Sequence, residues 1–101
     1  MIIYNVTISI IDPSIELDWL QWMKQVHIPD VMRTKKFSEY RLCKVLVDDE
    51  ITYAIQYSCK DQNTLNAHLK NDAPKLMEDH SKKFKGKFGA FRTFLDLIEQ
   101  G

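Results

Sequence analysis

Residues 2–10 read IIYNVTISI. Ile2, Tyr4, Val6, Ile8 and Ile10 are apolar, and Asn5, Thr7 and Ser9 lie between them. Alternation of period two marks a strand with one apolar and one mixed face. Asp12-Pro13 follows and ends it, because proline cannot continue a strand ladder. Either Asp12 or Ser14 suits the start of a helix. Over residues 14–27 the helical period gathers Ile15, Trp19, Trp22, Met23 and Val26 on one side, with His27 on the flank of that stripe. Pro29 disfavours helical geometry at Ile28, so this helix should stop at His27, with a short helical segment from Pro29 to about Thr34.

Two further strands are expected over residues 37–47 and 51–60, joined by the polar tip Asp48-Asp49-Glu50. The apolar pattern pairs Val47 with Ile51, Val45 with Tyr53 and Cys43 with Ile55. In that register Cys43 and Cys59 lie too far apart for a disulfide. Asp61 caps a helix carrying Leu65, Leu69, Ala73, Leu76, Met77, His80 and Phe84 at helical spacing. Pro74 should split it, with Asp72 capping the second half. Gly86 and Gly89 lead into a last strand, FGAFRTFLDLI.

The order β-α-β-β-α-β predicts an α+β, ferredoxin-like domain over residues 1–101, with both helices on one face of a four-stranded antiparallel sheet. Val6, Ile8, Val45, Ile55 and Leu95 should face the helices. The other face should carry Thr7, Leu42, Lys44, Gln56, Arg92 and Phe94, a surface too apolar for plain solvent. Pairing of two copies across Thr7, Gln56, Arg92 and Phe94 is therefore expected, as a homodimer.

Fourteen basic residues balance fourteen acidic ones, and this argues against nucleic acid or an anionic membrane as partner. The opening residues lack a basic segment and a cleavage site, and two unpaired cysteines suit a reducing compartment, so a cytoplasmic location is expected. No Walker loop, dinucleotide fingerprint, nucleophile elbow or zinc spacing occurs, so neither a cofactor nor a metal is expected. The chemistry-bearing residues are His27 as candidate catalytic group, with Tyr4, Trp19, Met23, Tyr53, Tyr57 and His80 around a pocket between helices and sheet, and Arg41 near them. A histidine moves protons near neutral pH and tyrosines orient an oxygen.

The stretches WLQWMKQVHIPDVM (residues 19–32) and KFGAFRTFL (residues 87–95) resemble an uncharacterised bacterial family of this length, similar to the dimeric α+β barrel superfamily. That superfamily includes antibiotic-biosynthesis monooxygenases, ethyl-tert-butyl-ether-degradation-type proteins, muconolactone isomerase-like proteins and haem-binding members. The resemblance implies a homodimer with a small apolar or aromatic ligand and, as its reaction class, cofactor-independent oxygenation or isomerisation. It also places a histidine late in the first helix, as His27 is here. The alternative is a non-catalytic dimeric module for assembly or regulation.

Overall fold

A computed structural model describes all residues, 1–101. The strands are β1 (Ile2–Ile10), β2 (Glu39–Lys44), β3 (Ile51–Cys59) and β4 (Phe88–Asp96). The helices are α1 (Glu16–Trp22), α2 (Ile28–Arg33), α3 (Gln62–Asn71) and α4 (Ala73–Lys83). The sheet order is β2-β3-β1-β4, and every neighbouring pair is antiparallel. This is the ferredoxin-like α+β arrangement read from the sequence.

The core forms where the inner face of the sheet meets the helices. Tyr4, Ile8, Ile55 and Tyr57 pack there with Trp19, Met23, Ile28, Leu65 and Phe84. Each such side chain removed from water stabilises the fold by about 1.5–3 kcal/mol. Asp12 accepts the N–H of Ser14, and Asp61 accepts that of Thr64, so both expected caps form. Asp72 separates α3 from α4, but its carboxylate does not cap α4. It holds Lys36 and His68 instead.

Three expectations are corrected. First, Pro29 does not stop the helix. Met23–His27 forms a π-helical turn, in which the N–H of Ile28 reaches the carbonyl of Met23, and α2 follows without a break. The wider turn moves aside the carbonyl that a proline ring would otherwise strike one turn back.

Second, β2 is shorter than expected and pairs one residue out of the expected register. Leu42 faces Ile55, Cys43 faces Ala54 and Lys44 faces Tyr53. A slip of one residue exchanges the faces. Leu42 and Lys44 thus lie on the inner face, Cys43 is exposed on the outer one, and Arg41 lies there too, opposite Gln56. Val45 falls beyond the strand and is only half-buried.

Third, β4 presents the opposite face from the one expected. Arg92 pairs with Val6 and Phe94 with Tyr4, and this puts both on the helix side, where Phe94 stacks on Tyr4 at 5.8 Å. Leu95 pairs with Ile3 and Phe91 with Thr7 on the outer face. Thr7 and Gln56 do lie on that outer face, as expected, but Arg92 and Phe94 cannot join them in an interface there.

The register makes a prediction about stability. Ile55→Ala should cost about 2–5 kcal/mol, the range for a truncated core aliphatic. Val45→Ala should cost less than about 1 kcal/mol, as substitutions outside the core do. Urea unfolding of both variants checks this, and equal losses would restore the register in which Val45 belongs to the core.

Candidate functional site

A cavity of about 350 Å³ lies between the sheet and the helices. Tyr4, Val6 and Ile8 of β1 and Ile55 and Tyr57 of β3 form its floor. Met23, Val31, Leu76 and Met77 cover it, and Ala90 and Arg92 of β4 border it. Three histidines line this mostly apolar space: His27, His68 and His80.

His80 sits on the buried stripe of α4, one turn after Leu76 and one turn before Phe84. Its Nε2 accepts a hydrogen bond of 2.9 Å from Nε1 of Trp19. An indole N–H only donates, so Nε2 carries no proton and the neutral ring holds its hydrogen on Nδ1. The ring stacks on Phe88 at 4.0 Å and lies 5.3 Å from the His27 ring. Burial, and then the neighbouring His27, push the His80 pKa down to about 3.

His27 closes the π-helical turn, a local irregularity common at functional sites. Its ring packs on Trp22 at 5.2 Å. Burial lowers its pKa, against the opposing pull of Asp30 and Asp79, with no hydrogen bond among its influences. The site therefore holds His27 neutral with its ring nitrogens free.

His68 is 2% exposed and packs edge-on against Phe37 at 4.8 Å and Tyr4 at 5.6 Å. Its Nδ1 lies 3.2 Å from Oδ2 of Asp72, which also accepts Nζ of Lys36 at 2.6 Å. A carboxylate only accepts, so Nδ1 carries the hydrogen and Nε2 is an acceptor. No buried side-chain nitrogen or oxygen lacks a partner. The unbonded Nε2 must therefore reach accessible space, and the cavity is the space that His68 lines. The same holds for the hydroxyl of Tyr57, whose pKa burial pushes far up, so that it stays a neutral phenol. Burial lowers the His68 pKa, and Asp72 opposes it.

Of the expected pocket residues, Tyr4, Met23, Tyr57, His27 and His80 line the cavity. Trp19 and Tyr53 lie outside its wall, and here the expectation is corrected. Trp19 is fully buried behind His80, 4.9 Å from the Tyr53 ring. The Tyr53 hydroxyl turns the other way and donates to Glu16 at 2.7 Å. Burial and that carboxylate raise the Tyr53 pKa to about 12. Sequence reasoning missed His68. The signal was there: His68 follows Leu65 by three residues on the buried stripe of α3, and Asp72 follows His68 by four. It also put Arg92 on the wrong face of β4 and so removed the one charged residue on the cavity wall.

No helix is long and apolar enough to cross a membrane, and no group of three or more His, Cys, Asp or Glu is placed to hold a metal ion. The chain belongs to the family DUF4286, a domain of unknown function, whose model matches residues 1–98. No curated protein matches it in sequence. Its fold is similar to that of a dimeric ferredoxin-like protein from an uncultured marine organism, at a TM-score of 0.75 and 8% identity over 100% of this chain and 98% of that one. It is also similar to SnoaB, a cofactor-independent oxygenase from Streptomyces nogalater, at a TM-score of 0.68 and 9% identity over 98% of this chain and 94% of that one. An antibiotic-biosynthesis-monooxygenase-like protein from Deinococcus radiodurans matches with a TM-score of 0.65 and 14% identity over 99% of this chain and 95% of that one. At these identities the likeness is one of fold.

The three depressed histidines make stability depend on pH. Each binds a proton more readily in the unfolded chain, where the ordinary histidine pKa applies, than in the folded one. Unfolding therefore takes up protons as pH falls below about 6.5, and stability falls with it. The melting temperature should drop between pH 6.5 and 5, above the range in which the carboxylates titrate, and the His80 ring protons should not titrate there by NMR. A flat melting temperature with a normally titrating His80 would contradict the geometry described.

Proposed function

We propose that this protein is a homodimer that binds a small aromatic or apolar molecule in the helix–sheet cavity and moves a proton on it without a cofactor, as an oxygenase- or isomerase-like enzyme. The cavity carries this reading. Its volume, about 350 Å³, falls within the roughly 300–1,000 Å³ of small-molecule sites, and an apolar wall with a few convergent polar groups is their usual chemistry.

His27 is the proposed proton acceptor. It is neutral and free of partners within the protein, the state in which an imidazole removes an acidic proton. Removal of such a proton leaves an enolate on the ligand. In isomerisation the same proton returns at a different carbon. In oxygenation dioxygen, as co-substrate, takes electrons from the enolate and bonds to its carbon. Protonation gives a hydroperoxide, and loss of the remaining hydrogen on that carbon with cleavage of the O–O bond releases water and leaves a carbonyl. The fold shared with SnoaB supports this reaction class.

The outer face of the sheet supports the dimer. Phe91 is 61% and Leu95 40% exposed there, beside Thr7, Ala54 and Gln56, and no helix covers them. Face-to-face pairing of two such sheets would bury them across a two-fold axis. The fold shared with a dimeric ferredoxin-like protein supports the same assembly. The ligand-free dimeric module draws on this face alone and leaves the cavity without a role.

Two experiments test the proposal. Phe91→Asp should convert a dimer to a monomer in light scattering, since it would bury an unpaired charge at the contact. A dimer that survives it, or a wild-type monomer at micromolar concentration, contradicts the assembly. His27→Gln should leave the melting temperature nearly unchanged, because no hydrogen bond is lost. Native mass spectrometry of the wild-type protein should show a small-molecule adduct, and His27→Gln should abolish it. A loss of stability, about 1–3 kcal/mol as for a broken buried hydrogen bond, with the adduct retained, would make His27 structural.

A further inference from the structure

Arg92 is the one residue on the cavity wall with a permanent charge; the rest of the lining is apolar, hydroxyl-bearing or histidine. It stands on the inner face of β4 opposite Val6, between Ala90 and Phe94. Five ion pairs form in the molecule, and none includes Arg92. Its side chain is exposed and also lines the cavity, so the guanidinium stands where the cavity meets solvent. The neighbouring histidines are neutral by burial and add no competing cation. The site thus holds a single positive charge with no counter-ion, beside an apolar space.

A guanidinium matches a carboxylate with two parallel hydrogen bonds. His68 supplies the complementary group. Its Nε2 is a bare acceptor facing the cavity, because Asp72, itself held by Lys36, keeps the hydrogen on Nδ1. An acceptor there calls for a donor on the ligand. Asp72 and Lys36 position the ring and touch nothing in the cavity themselves.

We infer that the cavity binds an organic acid, in which a carboxylate on an aromatic frame pairs with Arg92 and a hydroxyl elsewhere on that frame donates to Nε2 of His68. This rests on the ligand-binding reading above and narrows it to acids. Substrate choice is then set by β4 and α3, away from His27, whose ring meets the cavity from the first helical segment.

Calorimetric titration with 2-naphthoate and with 2-naphthamide separates the inference from the reading beneath it. The acid should bind the wild-type protein about tenfold more tightly than the amide, one charge-assisted contact's worth of discrimination. Arg92→Gln should bring the acid down to the amide's affinity and leave the amide unchanged. At least one of 5-, 6- and 7-hydroxy-2-naphthoate should bind more tightly than 2-naphthoate and move the His68 Nε2 nitrogen resonance upfield in the wild-type protein. Equal binding of acid and amide, or an acid preference that survives Arg92→Gln, overturns the inference while the cavity remains a site for neutral aromatic molecules. A His68 Nε2 resonance that ignores all three hydroxy acids removes His68 from it. Failure of every probe to bind overturns both.

Discussion

The indole N–H of Trp19 donates to Nε2 of His80 across 2.9 Å, between buried groups 61 positions apart in the chain. Either partner left alone would be a buried polar group without a hydrogen bond, at a cost of about 1–3 kcal/mol. The bond ties α1 to α4 and holds the two helices at a fixed spacing above the sheet. The His80 ring then lies flat on Phe88, so the same residue also fastens α4 to the edge strand β4. A cavity persists beneath these helices because rigid aromatic groups meet at its rim. Flexible side chains would have collapsed into it.

That bond also sets the chemistry of the space it borders. It fixes the His80 hydrogen on Nδ1, much as Asp72 fixes the His68 hydrogen on the corresponding nitrogen. The two rings then differ in what they leave over: His80 retains a donor, whereas His68 retains an acceptor. His27, with no partner within the protein, is free to be either. Burial keeps all three neutral near pH 7, so proton positions are set by geometry rather than by charge. Arg92 brings the only permanent charge on the cavity wall, from the edge strand β4.

The sequence made some of this legible and concealed the rest for physical reasons. β1 was plain because only one of its two alternating sets is wholly apolar. In β4 both sets contain aromatic residues, Phe88 and Phe94 in one and Phe91 in the other, so alternation could not choose the face. Only pairing with β1 decides it, and pairing is a tertiary fact. The β2 register failed because Val45 and Val47 invited a longer ladder than the hairpin allows. Pro29 misled because a π-helical turn leaves no signal in hydrophobic periodicity. His27 and His80 stood out at the edge and on the line of apolar stripes. His68 occupied the same kind of position on α3, hidden among leucines whose packing role was enough to explain the helix. Its partner Asp72 looked like a helix cap, a role that the carboxylate gives up to hold Lys36 and His68.

The central claim is an open, mostly apolar space between helices and sheet, kept open by the Trp19–His80 contact and able to receive an apolar guest. Xenon enters apolar cavities of this kind and scatters strongly, so diffraction from a xenon-pressurised crystal tests the claim with little else assumed. The account predicts xenon density enclosed by Met23, Ile55 and Tyr57, beneath an intact Trp19–His80 hydrogen bond. A crystal with no xenon there, and with the side chains of Met23 and Leu76 filling the space, would contradict it.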